Sequence, residues 1–270
     1  MLTAKCISFI GGGAICEALL KGILDKKMLT PEQISVSDVN PERTRLLSEE
    51  FGVGVSTAVA AAEFADILFL TVKPHIVAPV LQEIGRQIAE SVLIVSVAAG
   101  VKISTIEALL PGRRVIRVMP NTPVAVGAGM SAITKGKYAT ESDVELVNCL
   151  FSAVGRAVVV DESMMDAVTG MSGSGPGYVF VLIDALTDAG VRVGLARDTA
   201  LLLAAQTFLG AAKMVLETGK HPSALRDMVT SPGGSTIAGI QVLEDNAVRS
   251  ALIKAVVAAT ERSREMGRDK

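Results

Sequence analysis

The chain contains no tryptophan, and aromatic residues make up only 3% of its 270 positions. That scarcity argues against a nucleic-acid surface built on base stacking. A formal net charge of −2, without any basic block, argues the same way. The cysteines Cys6, Cys16 and Cys149 are odd in number and far apart, so they match neither a disulfide framework nor a metal site. They read as small buried thiols in a reducing cytoplasm. The two histidines, His75 and His221, lack a nearby Ser-Asp or Cys partner and read as surface or capping residues. An HExxH pair and a Walker A lysine are missing too, and no metal is expected. Uninterrupted apolar runs such as Ala58–Ala62 and Ile67–Leu70 fall far short of the roughly 20 residues a bilayer span needs. The mean hydropathy of +0.47 is therefore assigned to an Ala-, Val- and Leu-rich core, and no membrane partner is expected. No charged and apolar leader precedes the first strand pattern, so no export signal is read.

What is present is a rhythm. Lys5–Ile10, Gln33–Ser37, Ile67–Val72, Leu93–Val97, Val115–Met119, Met130–Thr134 and Ala157–Val160 are short and rich in Val, Ile and Leu. Amphipathic stretches such as Ile15–Lys26, Pro41–Phe51, Ile76–Ile88 and Ile103–Leu110 separate most of them. This predicts βαβ units and a mainly parallel sheet, with closely spaced last strands that leave room for a break in the parallel order. After Asp161 only helical patterns follow: Glu162–Met171, Pro176–Gly194, Asp198–Thr218, Pro222–Val229, Ser235–Glu244 and Ala247–Met266. The expectation is an α/β chain with two domains, residues 1–161 binding a dinucleotide and residues 162–270 all helical. Glu261–Lys270 reads as a solvated tail. The Asp198 helix is apolar nearly all round, which calls for cover from a second copy of the chain.

Two glycine-rich turns carry the chemistry. Gly11-Gly12-Gly13 closes the first strand and opens a helix, the context of a dinucleotide fingerprint, with Ala14 and Ile15 following and Cys16 in the third glycine position. Asp38, after Ser37 at the end of the second strand, either accepts the ribose hydroxyls of NAD or caps the helix near Pro41. A carboxylate there repels the 2′-phosphate of NADP, although Ser37, Asn40 and Arg43 offer it ligands. Thr71-Val72-Lys73-Pro74 and Ala98-Ala99-Gly100 end the third and fourth strands, where open α/β sheets hold their ligands. The Met119–Pro123 bend, which contains Asn121, either shapes the nicotinamide pocket or only turns a corner. Near the other end, Ser231-Pro232-Gly233-Gly234-Ser235-Thr236 enters a helix and lines up free amides and hydroxyls for a small anion.

These motifs together resemble the pyrroline-5-carboxylate reductase family over essentially the whole length. Pro222–Glu244 looks like that family's signature, supported by Ala167–Pro176, Val72–His75 and Met119–Pro123. The resemblance implies a Rossmann domain, a helical domain interlocked between two subunits, and hydride transfer from NADH or NADPH to pyrroline-5-carboxylate. It implies cofactor contacts at Gly11–Ile15, Thr71–Pro74 and Ala98–Gly100. Substrate contacts are implied at Glu162, Ser235 and Thr236, beside the Gly233 and Gly234 amides, with Thr236 foremost in hydrogen-bonding the ring nitrogen. Two alternatives stand beside it. A hydroxyacid dehydrogenase would carry a catalytic Lys in the helix that Pro176–Gly194 forms, where none occurs. A non-catalytic nucleotide sensor would need no C-terminal anion pocket.

Overall fold

A computed structural model describes residues 5–268. Eight strands form one sheet: β1 (Ile7–Ile10), β2 (Ile34–Ser37), β3 (Gly54–Val55), β4 (Ile67–Leu70), β5 (Leu93–Ser96), β6 (Arg114–Met119), β7 (Gly129–Lys135) and β8 (Gly155–Val159). Their spatial order is β3-β2-β1-β4-β5-β6-β7-β8, parallel throughout except for the antiparallel β6–β7 pair. The anticipated break in parallel order falls there. The strands β1, β2, β4 and β5 are buried along their whole length, Ser8, Ser35, Ser37 and Ser96 included, as in a parallel sheet covered on both faces. Phe9 and Phe69 stack at 4.8 Å across β1 and β4, with Phe151 tilted against Phe69.

Helices α1 (Ala14–Asp25), α2 (Pro41–Phe51), α3 (Ala58–Phe64), α4 (Pro74–Ile84), α5 (Ile103–Leu109) and α6 (Glu141–Phe151) connect these strands. Because β2 and β4 flank β1, the strand order reverses beside the glycine turn, where a doubly wound sheet opens a crevice. The stretch expected as one helix over Glu162–Met171 is instead a 3-10 turn, the short helix α7 (Met165–Val168) and a π-helical turn over Thr169–Gly173. Then come α8 (Gly175–Arg192), α9 (Arg197–Thr218), α10 (Pro222–Met228), α11 (Ser235–Asp245) and α12 (Val248–Arg268).

The chain divides into two compact units, and the division differs from the boundary expected after Asp161. The first unit keeps the described residues up to Gly173 and takes back those from Ala259 onward. The reason lies in specific bonds. Glu162 accepts from the Ile103 amide at 2.8 Å and pairs with Arg117, while Ser263 donates to Asp166 at 2.7 Å. The supposed solvated tail is thus helical through Arg268, and Ser263 is buried; Asp269 and Lys270 lie outside the described residues.

The second unit, Ser174–Ala258, is helical. There α8 and α9 pack closely, because a Cβ on Gly190 would come within 2.7 Å of the Ala200 Cβ. The other faces of α9 are bare: Leu202 is 69% exposed, and Leu201, Leu203, Leu209 and Leu216 are also exposed. By length and apolarity α9 is the one helix among the described residues able to cross a membrane, although its sequence lacks the long unbroken run looked for above.

Candidate active site

The first glycine turn is built by its neighbours. Gly11 has φ +106°, and a Cβ on it would lie 2.8 Å from the Thr71 carbonyl carbon, so both backbone shape and the end of β4 demand glycine. Thr71 bolts the two strands together, its hydroxyl donating to the carbonyls of Ile10 at 3.0 Å and Gly11 at 2.6 Å. Gly12 donates its amide to Asp38 Oδ2 at 2.6 Å. Gly13 is the uncapped N-cap of α1, and a Cβ there would meet nothing within 4 Å. Beyond it the amides of Ala14, Ile15 and Cys16 precede the first intrahelical bond, from Glu17 to Gly13. An exposed helix start with open amides is a cradle for a phosphate group, so the turn fits the pyrophosphate of a dinucleotide. Cys16 satisfies the third glycine position by being small and fully buried; burial pushes its thiol well up, so it packs as a neutral group.

Asp38 does not cap α2. That role belongs to Asn40, whose side chain accepts from the Glu42 amide. Both Asp38 oxygens take backbone amides instead, Oδ2 from Gly12 and Oδ1 from Asn40 at 2.9 Å. Arg43 spans the turn, donating to the Gly12 carbonyl and pairing with Glu17. Ser37 is buried at 7% exposure. Lys73 stands exposed before Pro74, which opens α4; Val72 is half-buried just before it. Ala98 is buried, Ala99 half-buried, and Gly100 has φ +73° at the mouth of β5.

Asn121 turns the corner by holding it. Its Oδ1 accepts from the Met130 amide at 2.8 Å and its Nδ2 donates to the Ser172 carbonyl at 3.0 Å. Glu162 is likewise occupied: Oε1 receives both the Ile103 amide and Arg117 Nη1, at 2.8 and 3.2 Å. Arg117 escaped the sequence reading, although a lone cation inside the apolar strand pattern Val115–Met119 was its signal. His221 caps α10 by accepting from the Ser223 amide, and Cys149 is exposed, unlike the buried thiol expected.

In the helical unit, Ser231–Gly234 forms a four-residue turn closed by the Gly234 amide on the Ser231 carbonyl at 3.1 Å. Pro232 and left-handed Gly233 (φ +67°) occupy its centre, and a side chain on Gly234 would collide with the Ser231 hydroxyl. Gly234 then caps α11 with no side-chain bond. The amides of Ser235, Thr236 and Ile237 have no acceptor among the described residues, and the Ser235 and Thr236 side chains are exposed and unpaired. Amides, two hydroxyls and the positive helix end make an anion seat.

The comparisons agree with this geometry. Residues 162–266 match the family model described as pyrroline-5-carboxylate reductase dimerisation, and residues 6–100 match that for NADP oxidoreductase, coenzyme F420-dependent. The chain is 50% identical to a pyrroline-5-carboxylate reductase of Methanosarcina acetivorans, covering 97% of this chain and 98% of the relative. It is 46% identical to one from Arabidopsis thaliana, over 96% and 95%. Among solved structures it resembles the Coxiella burnetii pyrroline-5-carboxylate reductase at TM-score 0.93, with 36% identity over 97% of this chain and 98% of that one. The Plasmodium falciparum pyrroline carboxylate reductase, solved with NADP bound, matches at TM-score 0.87 and 32% identity over 98% of each chain. A Rossmann-type unit with a phosphate cradle, a helical unit with an uncapped anion turn, and relatives matched nearly end to end leave one assignment: the chain belongs to the pyrroline-5-carboxylate reductase family.

Proposed function

We propose that the chain reduces 1-pyrroline-5-carboxylate to L-proline with NADH or NADPH. The observation that carries this is the pairing of an open dinucleotide cradle at Gly13–Cys16 with the uncapped turn at Gly233–Thr236 in one chain. When bound, the reduced nicotinamide supplies the hydride. The residues supply the rest. The amides of Ser235 and Thr236 hold the substrate carboxylate, which decides the ring face presented for reduction. The Thr236 hydroxyl hydrogen-bonds the ring nitrogen. A protonated imine is already a strong electrophile, so orientation, worth on the order of 10⁵ in effective molarity, replaces a dedicated strong acid.

The cofactor contacts are the Gly11–Ile15 turn, Ser37 and Asp38, Thr71–Pro74 and Ala98–Gly100. Asn121 and Glu162 serve as positioning residues, since their side chains already hold backbone groups in place, and the Thr71 hydroxyl, spent on the Ile10 and Gly11 carbonyls, leaves its backbone for the cofactor contact. The absence of Lys from α8 disfavours hydroxyacid chemistry, and a sensor would not need the α11 turn. The enzyme works in the cytoplasm, consistent with three free cysteines, as a dimer or an assembly of dimers.

Thr236→Val keeps the side-chain shape and removes the hydroxyl. Turnover with the cyclic imine falls roughly 10–10³-fold, with a smaller change in KM, because one transition-state hydrogen bond is lost. Wild-type kcat in the purified variant would reject the role of Thr236.

A further inference from the structure

A second charged cleft lies within the first unit; apart from Gly100, a proposed cofactor contact, and Glu162, for which the family resemblance implies a substrate contact, the reductase reading gives its lining no ligand. Gly100, Lys102, Arg117, Glu162, Ser163, Asp166, Arg264 and Gly267 enclose about 420 Å³. Arg117 is 95% buried, yet only its Nη1 is spent, on Glu162. Its Nε and Nη2 have no partner among the described residues, although the side chain lines the cleft. Lys102 and Arg264 are exposed on the rim and form no ion pair among the described residues. Opposite them, Glu162 is held by Arg117 and the Ile103 amide, and Asp166 Oδ1 accepts the Ser263 hydroxyl. Three cations thus face two carboxylates that are already bonded, and Ser163 adds a hydroxyl. The guanidinium nitrogens not bonded to Glu162 open on the cleft, where they can donate to an acceptor that enters it. Guanidinium forks match planar or tetrahedral oxyanions, and converging lysine and arginine add charge at short range.

We propose that this cleft binds a small oxyanion, either a phosphate group or a compact dicarboxylate. Arg117 is the buried anchor, Lys102 and Arg264 close over the ligand, and Ser163 donates from the side. The Arg264 contribution exists because the end of α12 folds back onto the first unit.

The test is calorimetric titration of the full-length protein with inorganic phosphate and, separately, with succinate at low ionic strength. NADP is kept saturating so that the phosphate cradle is filled. Binding of phosphate alone supports a phosphate-bearing ligand, and binding of succinate alone supports a dicarboxylate. Lys102→Ala combined with Arg264→Ala removes two exposed cations without disturbing the core, and Kd is expected to rise at least about tenfold. Arg117→Lys, which keeps the charge toward Glu162 and loses the fork, is expected to weaken binding as well. Neither anion binding by roughly 10 mM, or an unchanged Kd in the double variant, would overturn the proposal.

Discussion

Asp38 shows how one side chain can both build a turn and choose a ligand. Its two oxygens hold the Gly12 and Asn40 amides, which fixes the carboxylate at the C-terminal end of β2. The alternative phosphate ligands nearby are committed: Arg43 to Glu17 and the Gly12 carbonyl, Asn40 to capping α2, Ser37 to the interior. That arrangement favours an unphosphorylated ribose, and we expect higher kcat/KM with NADH. Asp38→Ser removes the repelling charge, so the NADPH-to-NADH efficiency ratio should rise about tenfold, equivalent to ~1.4 kcal/mol. The ratio is the useful readout, because the loss of the Gly12 acceptor lowers stability with either cofactor. A native tenfold preference for NADPH would reject this reading of Asp38.

Among the elements, the junction of β6, α5 and the 3-10 turn at Glu162–Met164 depends on a single carboxylate. Glu162 neutralises Arg117 in β6 and accepts from Ile103, the first residue of α5, where a negative charge also favours the helix dipole. Breaking a fully buried pair from one side costs about 3–5 kcal/mol. Glu162 keeps 34% of its side chain in contact with solvent, so Glu162→Gln should cost about 1–2 kcal/mol. The urea-unfolding midpoint of the purified variant checks this, and a midpoint equal to wild type would show that the pair contributes nothing. If Glu162 instead touched substrate directly, the variant would raise KM without lowering the midpoint.

For the molecule as a whole, the decisive feature is the apolar surface left bare on one copy of the chain. Leu202, Leu209 and Leu216 on α9, with Phe180 and Val181 on α8, are all more than half exposed. Covering a leucine is worth roughly 1.5–3 kcal/mol, so several of them left in water would favour association or aggregation. The matched dimerisation model over residues 162–266 covers the same helices. A two-fold interface would bury the face isologously and shield α9, whose apolarity otherwise equals that of a membrane span. Leu202→Asp should therefore yield monomers of low activity or insoluble protein, because the same helical unit carries the Gly233–Thr236 turn. Light scattering at assay concentration decides the matter: a fully active wild-type species with the mass of one chain would rule out the obligate dimer.

Local pattern determined much of this protein. Short runs rich in Val, Ile and Leu marked β1, β2, β4 and β5, although the burial of Ser8, Ser35, Ser37 and Ser96 within them came only with the fold. Turn chemistry marked both glycine turns, since Gly11 and Gly233 occupy left-handed backbone that other residues resist. Long-range pairing was invisible to such signals. The two-residue β3 is too short to show a period, and it exists because Ser35 and Val36 offer it a ladder. Asp38 was open between a ribose acceptor and a helix cap until the fold brought Gly12, 26 residues away, onto its oxygen and gave the cap to Asn40. Arg117, Glu162 and Arg264 come together only when β6, the turn after β8 and the last helix converge on one cleft. A contact between residues far apart in the chain leaves no local periodicity, so only the tertiary structure decided which charges meet and which remain free to bind.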